Sequence, residues 1–144
     1  MKLAGIIHDM VDFTRGQAIS HCVSVQTRIA EDLPSVLGDR IELQQVLLNL
    51  ILNGQQAMPD GGTIFVSTRV SRDADPEFLV ADSVHIQVRD TGTGIDPELV
   101  PHIFEPFFST KDVRGTGLGL WVSQGIVQAH GGSIKLRSRA GRGT

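Results

Sequence analysis

The rest of the chain is arranged around residues 39–58, DRIELQQVLLNLILNGQQAM. This segment predicts a single helix, because Asp39 can cap its N-terminus and Glu42 follows three residues later in capping-box position. The sequence PDGG at 59–62 ends it. Most of its interior is apolar, so we expect it to pack against a core over much of its circumference.

Four neutral amides interrupt this apolar helix on one side, namely Gln45, Asn49, Asn53 and Gln56. At about 100° per residue, their spacing confines them to an arc of roughly 80°. Buried amides need hydrogen-bond partners, and neighbouring backbone can supply them. A carboxamide can also offer an oxygen to Mg²⁺ and an N–H to a phosphate without adding charge. We therefore expect the stripe to face a ligand.

Composition narrows the class of protein. A length of 144 residues suits one domain with a real core. The net charge of −3 argues against a nucleic-acid partner and against contact with a membrane surface. No apolar run approaches the ~20 residues of a membrane span, and the N-terminus lacks the pattern of a signal peptide. The single cysteine, Cys22, rules out an internal disulfide and fits a reducing compartment. We expect a cytoplasmic domain, in a parent protein that can itself be anchored to a membrane.

Hydrophobic periodicity predicts the remaining elements. Helical spacing covers residues 2–20 and 118–130, and apolar residues alternate with polar ones over 23–29, 64–70 and 84–88. Residues 71–83 are expected to form a loop. Ile134 and Leu136 are expected to lie on a final strand. His8 should lie on the polar face of the first helix, and His130 should favour the dipole at the C-terminus of the last helix.

Asp90 falls in phase with the apolar residues of the strand before it. Its carboxylate should therefore point inward, which is costly unless it is paired. The sequence T-G-T-G follows at 91–94, where glycine lets another group approach the backbone closely. Asp90 can be the first residue of a strand-ending turn, or it can accept a hydrogen bond from the exocyclic amine of a ligand base. The residues alone support both interpretations.

Two further motifs follow Asp90. Phe104, Phe107 and Phe108 cluster in the segment FEPFF, where they can form a hydrophobic plug. The sequence GTGLGL at 115–120 then enters a helix, whose N-terminal N–H groups make an anion site. No strand precedes these glycines and they lack the spacing of a P-loop, so they match neither common phosphate-binding fingerprint.

Taken in order, these motifs resemble the catalytic ATP-binding domain of sensor histidine kinases, a superfamily shared with gyrase-type and chaperone ATPases. The resemblance covers roughly residues 3–140. It implies an α+β fold, the two-layer α/β sandwich called the Bergerat fold, with a mixed sheet covered on one face by about three helices. It also implies a single catalytic domain over 1–144, a mobile ATP lid over about 94–115, and a phosphoacceptor dimerisation domain that is absent from this chain.

The resemblance implies binding of ATP with Mg²⁺ and identifies the residues involved. Asn49 and Asn53 match the Asn box and would be the catalytic residues, with Asn53 as the Mg²⁺ ligand. Asp90 matches the adenine-reading aspartate. The remaining nucleotide contacts would come from Gln56, Gly92, Gly94, Ile95, Phe104, Lys111, Gly115, Thr116, Gly117, Leu118 and Gly119.

Some positions depart from the family pattern. Gly54 stands where alanine is usual, which weakens the helix by up to about 1 kcal/mol. Gln56 stands where many relatives carry a charged residue, so Lys111 or Arg114 would supply positive charge to the phosphates.

The implied reaction is transfer of the γ-phosphate to a histidine on a separate dimerisation domain. A response regulator receiver domain would act downstream of that histidine. His8 is not expected to be that histidine, because about thirty residues separate it from Asp39. So short a segment cannot hold a two-helix hairpin together with the first helix and strand of the domain.

Several classes of protein share these motifs. A hydrolytic ATPase of the gyrase or chaperone type would carry a glutamate where this chain has Asn49, which is a poor general base. Asn49 therefore favours a kinase. The motifs are also compatible with a serine-directed relative and with a non-catalytic nucleotide-binding regulatory module.

Overall fold

The computed structural model describes residues 1–108 and 118–144. A 3₁₀ turn covers Val100–His102. The helices and strands of the described residues are α1 Leu3–Ser20, β1 Val23–Arg28, α2 Arg40–Gln56, β2 Gly62–Ser71, β3 Ser83–Asp90 and α3 Gly119–Ala129. These bounds agree closely with the expected elements up to residue 130. Among the described residues, no helix combines the length and the apolar character that a bilayer span requires.

The sheet is mixed, with strand order β1-β2-β3. β1 pairs with β2 in parallel, and Val25 lies opposite Ile64. β3 pairs with β2 in the antiparallel sense, and Ile64 lies opposite Asp90. Directly opposed residues point to the same face of a sheet. The carboxylate at the end of β3 therefore lies on the same face as the buried side chain of Ile64.

Helices α1 and α2 cover that face and bury the core. Ile6 and Ile64 are 0% exposed, and Ile51 of α2 is 1% exposed. The core cluster is made of Leu3, Ile6, Ile7, Val11, Ala18, Val23, Val25, Leu47, Ile51, Met58, Ile64 and Val66. The predicted two-layer α+β sandwich with a mixed sheet is therefore confirmed.

The N-terminus of α2 is capped by Asp39, as predicted. Its Oδ1 accepts hydrogen bonds from the N–H groups of Ile41 at 2.8 Å and Glu42 at 3.0 Å. The expected capping box would also direct Glu42 back to the N–H of Asp39. That N–H instead donates to Nε2 of His130 at 2.9 Å. The reciprocal half of the capping box is therefore wrong, because the end of α3 supplies the acceptor.

The expectation that α2 is buried over much of its circumference is also wrong. Ile41 is 75% exposed. The buried residues of the helix are Val46, Leu47, Ile51, Gly54 and Gln55. The physical reason is that α2 rests on the sheet by one side only, while other residues of the helix line an open cleft.

No strand forms over residues 133–138, so the prediction for Ile134 and Leu136 is wrong. Both side chains are half-buried, but alternation of apolar and polar residues specifies a face and does not supply a pairing partner. Side chains hold this segment instead. Lys135 donates to the carbonyl oxygen of Glu77, and Arg137 pairs with the Glu77 carboxylate at 3.1 Å.

Candidate functional site

An open cleft lies between α2, β3, the loop that follows β3, α3 and the C-terminal segment 131–144. Asn49, Asn53, Asp90, Gly94 and Gly119 all contribute to its lining. The cavity volume is about 1980 Å³. A small-molecule pocket is typically about 300–1,000 Å³. A nucleotide would therefore fill only part of this cleft.

Asp90 is a buried carboxylate in this cleft, 9% exposed. Its Oδ1 accepts hydrogen bonds from the N–H of Gly92 at 2.9 Å and the N–H of Thr144 at 3.3 Å. The N–H of Asp90 donates to the carbonyl oxygen of Thr144 at 2.8 Å. The turn interpretation of Asp90 is therefore correct, and it does not compete with a ligand role, because the turn positions the carboxylate.

The glycines after Asp90 are required by close packing. A Cβ on Gly92 would lie 2.5 Å from the carbonyl oxygen of Ala57, at the end of α2. Gly94 has φ +70°, and a Cβ there would collide with the carbonyl oxygen of Arg139. Such positions are accessible to glycine and strained for other residues. This loop therefore touches both α2 and the C-terminal segment of the chain.

Sequence reasoning missed two residues that organise this loop, Ser138 and Thr144. The Oγ of Ser138 accepts a hydrogen bond from the N–H of Ile95 at 2.7 Å. It also lies 2.7 Å from Oγ1 of Thr144. The only local signal was the turn sequence A-G-R-G-T at 140–144. It predicts a turn but not the distant loop that the turn contacts.

The amide stripe of α2 divides into different environments. Asn49 is half-buried, and its Nδ2 donates to the carbonyl oxygen of Gly119 at 3.4 Å and to Oγ of Ser123 at 3.3 Å. Asn53 is half-buried, whereas Gln45 and Gln56 are exposed. Asn49, Asn53 and Gln56 line the cleft. The sequence missed Ser123, which is 0% exposed and is the partner of Asn49 in α3.

The predicted Phe-box residues differ in exposure. Phe104 and Phe108 are half-buried and line the cleft, whereas Phe107 is 76% exposed. Leu118 is the N-cap residue of α3, and Gly119 is its first helical residue. The remaining predicted contacts, Lys111, Arg114, Gly115, Thr116 and Gly117, lie outside the described residues.

The two histidines singled out in the sequence differ. His8 lies exposed on α1, as predicted. His130 lies at the C-terminus of α3, as predicted, and its Nδ1 is 2.8 Å from the carbonyl oxygen of Ile126 in the last turn. Its second ring nitrogen makes the contact with Asp39 that the sequence did not predict.

Comparison with known proteins identifies a family. Residues 38–144 match the model of the family described as histidine kinase-, DNA gyrase B- and HSP90-like ATPases. Sporulation kinase E of Bacillus subtilis is 37% identical over 96% of this chain and 18% of its own length. Sensor kinase CckA of Brucella abortus is 45% identical over 78% of this chain and 13% of its own length.

A solved structure shares the fold. Full-length ShkA in complex with AMPPNP superposes with a TM-score of 0.83 at 24% identity, over 99% of this chain and 28% of that chain. The chain thus spans less than a third of the length of each of these three proteins. The range matched by the family model, 38–144, includes α2, Asp90 and α3.

Proposed function

We propose that this chain, which belongs to the family of histidine kinase-, DNA gyrase B- and HSP90-like ATPases, is the catalytic ATP-binding domain of a sensor histidine kinase. It binds ATP with Mg²⁺ and donates the γ-phosphate to a histidine on a separate dimerisation domain. A response regulator receiver domain then accepts the phosphoryl group. One observation carries the proposal: the buried carboxylate of Asp90 lines the same cleft as the amides Asn49 and Asn53.

Asp90 is proposed to select adenine. A buried carboxylate accepts hydrogen bonds, and adenine offers an amino group where guanine offers a carbonyl oxygen. The turn that begins at Asp90 holds the carboxylate through the N–H of Gly92. Loss of a hydrogen bond to a charged group costs about 1.5–3 kcal/mol. ATP should therefore bind more tightly than GTP, with Gly94 and Ile95 beside the base.

The described residues fit a magnesium ion that is held mainly by the nucleotide. Among them, no group of three or more His, Cys, Asp or Glu side chains could hold a metal ion. Mg²⁺ typically binds through one or two protein oxygens together with substrate phosphates and water. The side-chain oxygen of Asn53 supplies such a ligand. When bound, Mg²⁺ neutralises the charge of phosphate oxygens during phosphoryl transfer.

Asn49 favours a kinase over a hydrolytic ATPase. Its Nδ2 donates to Gly119 and Ser123, so this amide connects α2 to the first turns of α3. An amide does not remove a proton from water as a glutamate would. Asn49 therefore supports the site by positioning α3, and it does not activate water for ATP hydrolysis.

We further assign residues 94–115 as the lid of a single catalytic domain that covers 1–144. Half-buried Phe104 and Phe108 anchor the first part of this lid beside the cleft. The glycine motif at 115–119 and Lys111 are proposed to contact the triphosphate, with Leu118 and Gly119 at the start of α3.

Calorimetry with ATP, in the presence and absence of Mg²⁺, tests the site. Asn53→Ala should weaken Mg·ATP binding at least about tenfold, because it removes the proposed metal ligand. Gln45→Ala is the matched control, since Gln45 is an exposed amide two turns earlier on the same helix. Its affinity should equal that of the wild type. Unchanged affinity in a folded Asn53→Ala variant would contradict the metal assignment.

The kinase assignment needs a phosphoacceptor. The chain mixed with the dimerisation domain of a sensor kinase relative and γ-labelled ATP should produce acid-labile label on that domain. The chain alone should not label itself, and His8→Gln should behave as the wild type. Substantial ATP hydrolysis by the chain without phosphotransfer would favour a gyrase-type hydrolytic function instead.

A further inference from the structure

Helix α3 is weakly held by apolar packing. Of its 11 described residues, only Ser123 is buried. Its apolar residues Val122, Ile126 and Val127 are half-buried, and Trp121 is 48% exposed. The helix begins at the cleft, where its first N–H groups have no partner within the helix. Apolar packing therefore fixes the direction of this helix only in part.

Two polar contacts with α2 add to this packing, at opposite ends of α3. Near its N-terminus, Asn49 donates to Gly119 and Ser123. At its C-terminus, His130 Nε2 accepts the N–H of Asp39 at 2.9 Å. A helix of 11 residues is about 16 Å long. Two contacts this far apart restrain the axis of the helix more than either one would alone.

The second contact requires one form of the imidazole ring. The carbonyl oxygen of Ile126, 2.8 Å from Nδ1, can only accept, so Nδ1 carries a hydrogen. The N–H of Asp39 can only donate, so Nε2 must carry none. The ring is therefore neutral, with its hydrogen on Nδ1. A second hydrogen on Nε2 would bring two donors face to face and break the contact.

The charged groups near the ring do not replace Nε2 as the acceptor of the Asp39 N–H. Glu42 lies on the other side of the ring, with Oε2 3.9 Å from Nδ1. The Asp39 carboxylate is occupied with capping α2. On the side of the N-terminal segment, the Met1 ammonium donates to the carbonyl oxygen of Val36 at 2.8 Å. The ring also packs against Gly38, where a Cβ would lie 2.8 Å from Nε2.

We propose that neutral His130 is a positioning residue for nucleotide binding. It fastens the C-terminal end of α3 to the N-terminal end of α2 and so holds the start of α3 at the cleft. Protonation of the ring releases this end and lowers the affinity for Mg·ATP. The inference rests on the proposed function, because it takes ATP as the ligand of the cleft.

The decisive experiment measures the dissociation constant of Mg·ATP at about pH 8 and about pH 5.5, between which histidine side chains change charge. It compares the wild type with His130→Gln, whose Oε1 keeps an acceptor in place of Nε2 but does not titrate. Phosphate groups also gain a proton near about pH 6. We therefore compare the loss of affinity on acidification in the wild type with the loss in His130→Gln.

We expect the wild type to lose roughly twofold to tenfold more affinity on acidification than His130→Gln, the range set by one hydrogen bond. His8→Gln, a change of the same chemistry at an exposed position, should lose as much as the wild type. Gly38→Ala should displace the ring and weaken binding at both pH values. Equal losses in the wild type and His130→Gln would overturn the inference.

A measurement without nucleotide separates this inference from the proposed function. Trp121 is the only tryptophan of the chain and lies in the first turn of α3. Its fluorescence should change on acidification in the wild type and stay constant in His130→Gln. Ring-nitrogen chemical shifts should show the hydrogen on Nδ1 at pH 8. A hydrogen on Nε2 at pH 8, or equal fluorescence changes in both proteins, would overturn the role of His130, whereas Mg·ATP binding at pH 8 tests the proposed function alone.

Discussion

Two regions of this molecule are stabilised by different kinds of interaction. The first, which we call the apolar half, comprises residues 1–71, which include α1, β1, α2 and β2. Among the described residues, every buried hydrophobic side chain precedes residue 67 and so belongs to this half. The second, the polar half, comprises residues 72–82, 91–95 and 118–144. Hydrogen bonds and ion pairs hold it, such as those of Ser138 with Ile95 and of Arg137 with Glu77.

This difference separates stability from function. Burial of apolar surface contributes most of the free energy of folding, so the apolar half should unfold as the stable unit. Polar contacts at a surface contribute little net stability. Segments held by them open at low cost, as ligand-binding loops require. Asp90 lies where the halves meet, on a strand paired with β2 and in hydrogen-bond contact with Thr144.

The sharpest test of this contrast makes the same substitution in both halves. Ile51→Ala in α2 should lower the free energy of unfolding by about 2–5 kcal/mol, because Ile51 is fully buried and leaves a cavity. Ile126→Ala in α3 should cost less than about 1 kcal/mol, since that side chain is only half-buried. Both residues lie in helices, so helix propensity affects the two variants alike. Urea unfolding monitored by circular dichroism measures the difference.

Similar losses for the two isoleucine variants would break the contrast, because they would place α3 within the same core as α2. If the polar half supplies nucleotide binding, Ile126→Ala should affect nucleotide affinity more than it affects stability. A folded Ile126→Ala protein should bind Mg·ATP less tightly than the wild type, because looser packing frees the start of α3.

A second, smaller effect comes from glycines. Gly94→Ala in the polar half should destabilise the protein by about 1–3 kcal/mol, because φ is +70° there and the new Cβ would collide with Arg139. Gly54→Ala in α2 should stabilise it by about 0.5–1 kcal/mol through helix propensity. Its Cβ would lie 3.4 Å from Cβ of Asp90 and 3.5 Å from Ile64, which is ordinary contact.

Thermal unfolding of both glycine variants measures these changes. The alanine at 54 matches the residue that the resemblance to sensor kinases led us to expect. A loss of stability in Gly54→Ala would mean that the base of the cleft between α2 and Asp90 is tighter than the contact distances indicate. A neutral Gly94→Ala would mean that the loop shifts freely away from the C-terminal segment.

Local signals made most of the fold predictable from the sequence. The cap at Asp39 and the glycines at 61–62 bracket α2, and periodicity located α1 and α3. The position of Asp90 followed from its phase on β3. Each of these signals acts between residues close together in the chain. The local sequence therefore contains the physical cause of these elements.

What the sequence did not predict depends on residues far apart. The partner of Asp39 is 91 positions away, at His130, and the partner of Asn49 is 74 positions away, at Ser123. No local pattern encodes where α3 lies on α2. The strand predicted at Ile134 and Leu136 is absent for the same reason. Alternation of apolar and polar residues does not show whether a neighbouring strand is present to pair with.

The smallest expected effect concerns Asp75, in the loop between β2 and β3. Its Oδ2 pairs with Arg69 at 2.5 Å, and its Oδ1 accepts from the N–H groups of Glu77 and Phe78. The Arg69 hydrogen bond, followed by that of the Glu77 N–H, lowers the pKa of Asp75 from 3.8 to about 2. The folded state therefore favours the ionised carboxylate and gains stability from it at neutral pH.

The direction of the pH dependence follows from that lowered pKa. The stabilising contribution is complete above the unfolded value of 3.8 and disappears as the pH falls towards about 2. Asp75→Asn keeps an oxygen for the two backbone N–H groups but removes the charge, so it should lower the melting temperature slightly at pH 7. The gap from the wild type should stay constant above about pH 5 and close between about pH 4 and pH 2. Nucleotide affinity should change little, because Asp75 itself does not line the cleft and Asp75→Asn keeps the oxygen that the N–H groups of Glu77 and Phe78 contact. A gap that persists at pH 2 would show that the loop is held by shape rather than by charge, and would remove residues 72–82 from the polar half.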